Sequence, residues 1–206
     1  MAKTRNRRGA SGGNRPTEEV VGLRIIGGSL RGRKLAYTGD VRTRPMKDRV
    51  REAVFNLLGS QVKGSHAVDL FAGTGALGIE ALSRGAQRAT FIERHLPTAN
   101  LVKQNAAALG ISDQTEIIFG DAFRFTADIR PIGDEPLTIF CSPPYDFYIE
   151  RKPEMLALIA RWTCICPAGS QIVVEADERF DLRELPNHEQ WDVRTYSPAM
   201  VAILST

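Results

Sequence analysis

Residues 68–78 read Val-Asp-Leu-Phe-Ala-Gly-Thr-Gly-Ala-Leu-Gly, and this glycine loop is the strongest structural signal in the chain. It follows a short apolar segment and precedes apolar residues at helical spacing. Glycines at the end of a strand let a ligand approach the backbone closely, and the next helix points its N-terminus at that ligand. The loop therefore predicts the first strand, turn and helix of an α/β fold that binds a nucleotide-like ligand.

The same alternation of strand and helix continues after the loop. Short apolar, β-branched segments of this kind are typical of a parallel sheet that is covered on both faces. We therefore predict an α/β, Rossmann-like fold with helices on both faces of the sheet. The predicted strands are 66–71, 89–93, 115–119, 137–142 and 171–176, the predicted helices are 76–84, 96–109 and 150–163, and 191–197 with 199–205 form a closing antiparallel pair.

The N-terminal region differs in composition from the rest of the chain. Residues 1–19 are rich in Gly, Arg and Ser without apolar periodicity, which indicates a disordered basic arm. We expect residues 20–206 to form one domain, in which 20–60 are a basic hairpin and helix and 61–206 are the catalytic sheet. A chain of 206 residues with 43% hydrophobic residues suits one such domain.

A β-hairpin and a helix are predicted between the arm and the sheet. Leu23 and the two isoleucines after it lie in one strand, a turn falls near Gly27 and Gly28, and a basic strand returns. Apolar residues from Met46 onward recur at helical spacing, and Gly59 is a suitable left-handed cap.

The charge of the chain is distributed unevenly. Residues 1–51 carry a balance of +10 and residues 52–206 a balance of −7, within a net charge of +3. A basic front on an acidic body predicts a polyanionic partner that docks on one side. A solubilising tail would explain the arm, but it fits poorly with the equally basic stretch 24–51. The candidate RNA-binding residues are Arg24, Arg31, Arg33, Lys34, Arg42 and Arg44.

Several classes of protein are disfavoured by composition. No apolar run approaches the roughly 20 residues of a membrane span, and no apolar segment follows the basic N-terminus as in a secretory signal. The Arg-rich start resembles an organelle transit peptide, but it lacks an apolar face. Three cysteines, Cys141, Cys164 and Cys166, are too few for a disulfide scaffold or a zinc site. We expect a cytoplasmic monomer without a metal.

The charge around the glycine loop discriminates between two cofactors. The pattern Gly73-x-Gly75-x-x-Gly78 also matches a dinucleotide site, in which Glu93 would bind a ribose. A carboxylate at Asp69 would repel a pyrophosphate, but it suits the sulfonium and ammonium groups of S-adenosylmethionine. Asp121 is placed to accept from an adenine amino group; the alternative for both aspartates is a helix or turn cap. The predicted cofactor-binding residues are Asp69, Phe71, Gly73, Gly75, Glu93, Asp121 and Ala122.

The fourth predicted strand ends in Ser142-Pro143-Pro144-Tyr145, which we predict to be catalytic. Two prolines remove two N–H donors, so the local carbonyls are expected to face the pocket as acceptors. Tyr145 is suited to stacking on a base. Acceptors that bind the hydrogens of a base amine favour the pyramidal nitrogen of the transition state of methyl transfer. The alternative is a proline-rich turn that merely closes a strand.

Several segments together resemble the bacterial 16S rRNA guanine-N2 methyltransferases of the RsmD type. The resemblance runs from about residue 23 to the end of the chain. It implies a seven-stranded methyltransferase sheet, an N-terminal hairpin that helps to bind RNA, and guanine N2 in small-subunit rRNA as the target. It also implies cofactor contacts from Gly73, Gly75, Glu93 and Asp121. The segments are LRIIGGSLRGRKL, RTRPMKDRVREAVFNLL, VDLFAGTGALGIEALSRGA, FIER and GDAF.

One position departs from the family pattern. The family normally has aspartate before the two prolines, and this chain has Ser142. The Ser-Pro-Pro-Tyr form resembles that of certain DNA cytosine-N4 enzymes, so a methyltransferase acting on DNA cytosine or adenine is one alternative. A catalytically degenerate protein that binds S-adenosylmethionine and RNA is another. Asp146, just after the motif, is a hypothetical replacement for the missing carboxylate.

Overall fold

The computed structural model describes residues 22–37, 45–128 and 134–206. These residues form a seven-stranded sheet in the order β3-β2-β1-β4-β5-β7-β6. β1 to β5 are parallel, whereas β7 is antiparallel to both β5 and β6. The strands are β1 (His66–Asp69), β2 (Arg88–Glu93), β3 (Thr115–Phe119), β4 (Leu137–Cys141), β5 (Gln171–Asp177), β6 (Asp192–Tyr196) and β7 (Ala199–Ser205).

Six α-helices in the described part of the chain connect and cover these strands. They are α1 (Asp48–Leu58), α2 (Ala76–Ser83), α3 (Leu96–Leu109), α4 (Ala122–Asp128), α5 (Phe147–Glu150) and α6 (Lys152–Ile165). The predicted fold class is confirmed. The helix predicted at 150–163 corresponds to α6 and begins two residues later, because Pro153 lies in the first turn of α6 and favours a helix start there. The short helix α5 before it was not predicted. α4 was not predicted.

Successive residues of the central strands face opposite sides of the sheet. Phe140 and Val173 belong to a core that contains α1, α2 and α3, whereas Ile139 and Val174 belong to a core that contains α6. Both faces of these strands are buried, which explains why their sequences are apolar without alternation. On the second face, the indole nitrogen of the fully buried Trp162 donates to Thr126 of α4 at 3.0 Å.

The predicted N-terminal hairpin is shorter than expected. Residues 22–37 make one antiparallel β-bridge between Arg24 and Lys34 rather than two strands, and the turn lies at 29–32. The reason lies in α2: the amides of Ile26 and Gly27 each donate to the Glu80 carboxylate at 2.8 Å instead of to a partner strand. Residues 1–19, Arg42 and Arg44 lie outside the described residues.

Glu80 is the centre of a buried charged cluster that docks this segment on α2. Its side chain is fully buried and also accepts from Nε of Arg84 at 2.8 Å. Arg51 of α1 is 1% exposed, lies 3.9 Å from Glu80, and donates to the carbonyl of Arg24 at 2.6 Å. Burial lowers the pKa of Arg51, and the negative charges of Asp48 and Glu80 oppose that shift.

Candidate functional site

The site lies where the parallel strands end, on one edge of the sheet. The amide of Leu70 donates to the carbonyl of Phe140 at 3.0 Å, so the ends of β1 and β4 are adjacent. The amide of Gly120 donates to the carbonyl of Glu93 at 3.1 Å, which joins the ends of β3 and β2. The strand order reverses between β1 and β4, and α/β sheets bind their ligands at such a switch point.

The glycine loop has the backbone that its sequence predicts. Gly73 and Gly75 have φ angles of 50° and 77°, in the left-handed region where glycine is favoured. A Cβ at Gly78 would lie 2.4 Å from the ring of Phe91, so glycine permits the close packing of α2 on the sheet. The loop therefore offers its backbone to a ligand next to the start of α2.

Asp69 is a buried carboxylate with one unused oxygen. Its Oδ2 accepts from the amide of Gly78 at 3.2 Å, whereas Oδ1 has no hydrogen-bond partner among the described residues. Burial raises the pKa of Asp69 to about 7; the nearby Glu93 charge adds to the shift, and the amides of Gly78 and Phe71 oppose it. A positively charged ligand group would satisfy this carboxylate.

Glu93 and Asp121 both have a structural role at the same edge. Glu93 accepts from the amides of Gly73 at 2.9 Å and His95 at 2.7 Å, one on each carboxylate oxygen. Oδ1 of Asp121 accepts from the amides of Phe123 at 2.9 Å and Arg124 at 3.2 Å. The cap interpretation of Asp121 is therefore correct for Oδ1, and Ala122 begins the capped helix α4.

Three partly buried aromatic rings surround the end of β1. Phe71 packs edge-on against Phe123 and Phe147, with ring centroids 5.9 and 6.1 Å apart. The guanidinium of Arg151 lies 3.8 Å from the centroid of Phe123, and that of Arg94 lies 5.4 Å from the centroid of Phe147. Phe71 was predicted to be a site residue. The two other rings and the two arginines were not predicted, because they come together only in the folded chain.

The predicted tetrad lies against a carboxylate that sequence reasoning missed. Ser142 Oγ donates a hydrogen bond to Oε2 of Glu175, and the Tyr145 hydroxyl donates to Oε1 at 2.7 Å. Glu175 lies on β5, is 4% exposed, and follows Val174, which is the register partner of Cys141. Burial raises the pKa of Glu175, while the two hydroxyl hydrogen bonds oppose that shift.

Two expectations about the tetrad need correction. The carbonyl of Pro144 accepts from the amide of Phe147 at 2.9 Å, so it belongs to the turn that starts α5. Pro143 is buried, and its carbonyl is the remaining candidate acceptor of the pair. Asp146 is 65% exposed and pairs with Arg179 at 2.9 Å, so it does not replace the family's aspartate.

The described basic candidates lie on the N-terminal segment and are exposed. Arg24 pairs with Asp48 at 3.3 Å, and Nη2 of Arg33 donates to the carbonyl of Ala108 at 3.0 Å. Arg31 lies in the turn and Lys34 in the β-bridge, and both residues are exposed. The fold therefore presents four of the six predicted cations on one short segment.

Residues 22–37, 45–128 and 134–206 contain neither a metal-binding cluster nor a membrane-spanning helix. No group of three His, Cys, Asp or Glu side chains there is arranged to bind a metal ion. No helix in this part of the chain is long and apolar enough to cross a membrane. Cys141, Cys164 and Cys166 are free thiols.

The sheet order, the glycine loop and the carboxylates at the ends of the first three strands define an S-adenosylmethionine-dependent methyltransferase. A family model described as Conserved hypothetical protein 95 matches residues 23–205, and the chain belongs to that family.

Two relatives and one solved structure show the extent of the similarity. The "Ribosomal RNA small subunit methyltransferase D" of Haemophilus influenzae is 36% identical over 68% of this chain and 72% of that protein. The YlbH protein of Bacillus subtilis is 36% identical over 79% of this chain and 86% of that protein. The solved structure of yhhF from Escherichia coli has a TM-score of 0.73 and 29% identity, and covers 88% of this chain and 96% of that chain.

Proposed function

We propose that the protein transfers a methyl group from S-adenosylmethionine to the exocyclic N2 amine of a guanine in small-subunit ribosomal RNA. The observation that carries the proposal is the Ser142–Tyr145 tetrad at the end of β4, across the switch point from the glycine loop. The relative from Haemophilus influenzae is named as a methyltransferase of small-subunit ribosomal RNA, which supports this RNA as the substrate. The resemblance of the sequence motifs to those of the RsmD-type enzymes supports guanine N2 as the target atom.

The cofactor site that we propose uses carboxylate oxygens that can accept more hydrogen bonds than the protein itself supplies. S-adenosylmethionine, when bound, supplies a methyl group on a sulfonium. The unpaired Oδ1 of Asp69 suits its positive charge. A carboxylate has about four acceptor positions, and two of those on Glu93 take backbone amides, which leaves the others for ribose hydroxyls. Asp121 is proposed to accept from the adenine amine beside Ala122, and Phe71 to contribute apolar packing.

The tetrad is proposed to activate the target amine without a covalent intermediate. The Ser142 hydroxyl and the Pro143 carbonyl accept hydrogen bonds from the two amine hydrogens. The lone pair of the nitrogen is then released from the ring and directed at the methyl group, because these acceptors bind the pyramidal amine best. The methylated nitrogen afterwards loses one proton to solvent, which gives a neutral secondary amine. The Tyr145 ring stacks on the target base and fixes its plane.

The proposal is tested by incubating the full chain with labelled cofactor and either free 16S rRNA or immature small subunits. Nucleoside mass spectrometry is expected to detect N2-methylguanine. Methylcytosine or methyladenine in DNA offered in parallel would favour the alternative that the Ser142 form raises. Cofactor binding without transfer to any of these substrates would favour a degenerate binding protein and would reject the proposal.

We propose that the exposed cations of the N-terminal segment bind RNA phosphates. Reversing the charge of Arg31 and Lys34 together is expected to weaken RNA binding and flatten its salt dependence. Each lost phosphate contact reduces the log–log slope by roughly 0.7–0.9. Arg31 and Lys34 are preferable to Arg33, whose hydrogen bond to Ala108 also fixes the segment. Binding is measured by fluorescence anisotropy at several salt concentrations.

The control for this variant is Arg194→Glu, an exposed charge reversal on β6, the outermost strand of the sheet. It is expected to leave the slope near that of the parent. Equal slopes in all three proteins would mean that the segment does not contact RNA.

We further propose that the protein acts in the cytoplasm on ribosomal RNA or an assembling small subunit, as a monomer that needs no metal ion.

A further inference from the structure

Glu175 is a buried carboxylate that accepts hydrogen bonds from two side chains of the tetrad. Its two oxygens are used separately: Oε2 accepts from Ser142 Oγ, and Oε1 accepts from the Tyr145 hydroxyl. The side chain is 4% exposed and lies on β5, the strand next to β4. Its position therefore joins the first and last residues of the tetrad through one rigid group.

The direction of these hydrogen bonds has a chemical consequence. A serine hydroxyl has one proton to donate and two lone pairs that accept. Because Ser142 donates its proton to Glu175, its remaining capacity is only to accept, which is what a target amine requires. In its ionised form Glu175 is a strong acceptor, and the charge-assisted hydrogen bond then increases the negative character of the serine oxygen.

We propose that Glu175 is a positioning residue for methyl transfer, which orients the Ser142 hydroxyl as an acceptor of the target amine and fixes the Tyr145 ring. The inference rests on the proposed function. It explains how a neutral serine operates where the family has an aspartate. The carboxylate of Glu175 on the neighbouring strand polarises the Ser142 hydroxyl, and the serine oxygen accepts the hydrogen bond from the amine. The nearby Asp146 does not serve this purpose, because it is exposed and paired with Arg179.

The test compares Glu175→Gln with the parent in single-turnover methyl transfer to small-subunit rRNA at saturating cofactor. Glutamine keeps the size of the side chain, but it has a single acceptor oxygen, so one of the two hydroxyls loses its acceptor and faces an N–H donor instead. We expect the rate of the chemical step to fall about tenfold to a hundredfold, in the range of a lost charge-assisted hydrogen bond. Affinity for S-adenosylhomocysteine should stay within about twofold of the parent.

Asp146→Asn is the matched control, because it neutralises an exposed carboxylate directly after the tetrad. We expect it to transfer at the parent rate. A Glu175→Gln protein that transfers as fast as the parent would overturn the inference and leave the proposed function standing. A parent that transfers no methyl group would instead reject the proposed function, and this inference with it.

A double-mutant cycle with Ser142→Ala separates positioning from a purely structural role. If Glu175 acts through Ser142, the Glu175→Gln substitution slows transfer much less in the Ser142→Ala background than in the parent. If the rate reductions of the two single variants simply multiply in the double variant, the two residues act independently and the inference is overturned. Should Glu175→Gln lose cofactor binding, Ser142→Ala and Tyr145→Phe remove the two hydroxyls individually. Each is then expected to slow transfer severalfold, and parent rates in both would contradict the proposal.

Discussion

Glu80→Ala is expected to lower the free energy of unfolding by about 3–5 kcal/mol, which is the range for removing one partner of a buried ion pair. The substitution removes one of the two carboxylates near the guanidinium of Arg51, which is 1% exposed and keeps only Asp48 at 3.0 Å. It also deprives the amides of Ile26 and Gly27 of their acceptor. Urea denaturation followed by circular dichroism measures the change.

Glu184→Ala is the matched control for this prediction. Glu184 pairs with Lys152 at 2.7 Å, but both side chains are about 40% exposed, so the loss should stay within about 1 kcal/mol. Equal losses in the two variants would mean that the Glu80 cluster contributes no more than a surface pair. Since the cluster docks residues 22–37 on α2, we also expect Glu80→Ala to weaken RNA binding.

The fold could be predicted because its signals are local. Each strand of the parallel sheet is a short apolar run, and the left-handed glycines 73 and 75 mark the turn out of β1. The predicted β1 extended to Phe71, whereas the strand ends at Asp69. The difference arises because Phe71 is apolar for another reason: its ring packs against Phe123 and Phe147 at the site.

The docking of the N-terminal segment could not be predicted from local signals. Its hairpin pattern is genuine, but hydrogen bonds from Ile26 and Gly27 go to a glutamate 53 or more residues away. Nothing in the apolar pattern of α2 indicates that Glu80 faces inward. A buried carboxylate is stable there only because two arginines and two amides converge on it, and this convergence is a property of the tertiary structure.

Glu175 illustrates the same limit at the site. The sequence does offer a signal, because a carboxylate stands inside the apolar run of β5 near its carboxyl end. That signal becomes interpretable only once β5 is known to lie beside β4, which brings Ser142 and Glu175, 33 residues apart, into contact. Asp121 shows the reverse case: it follows β3 as the sequence predicts, and its Oδ1 caps α4, while its contact with adenine stays a prediction.

Asp69 predicts a pH dependence of cofactor binding. With its pKa raised to about 7 by burial, Asp69 is largely protonated at pH 5 in the unliganded protein. If the ionised form binds the positively charged cofactor, apparent affinity scales with the ionised fraction, which rises from about 1% at pH 5 to about half at pH 7. Affinity for S-adenosylmethionine should therefore increase with pH, by up to roughly fiftyfold over this range.

Ionisation of Asp69 has the opposite effect on the stability of the unliganded protein, which falls as the pH rises. The folded state binds this proton more tightly than the unfolded chain does, because the folded pKa is the higher one. This contribution to stability is fully present below about pH 4, the value of an unperturbed aspartate, and is lost as the pH rises to about 7. Cofactor affinity and the stability of the unliganded fold should thus change in opposite directions over the same pH range.

Isothermal titration calorimetry between pH 5 and pH 7 measures the dependence, and buffers of different ionisation enthalpy count the protons released on binding. The release should approach one proton at pH 5 to 6. The control is Asp69→Asn, which keeps an acceptor for the amide of Gly78 but cannot titrate. This variant should bind more weakly at pH 7 and with a nearly flat pH profile. A parent profile as flat as that of the variant would mean that Asp69 does not meet the positive charge of the cofactor.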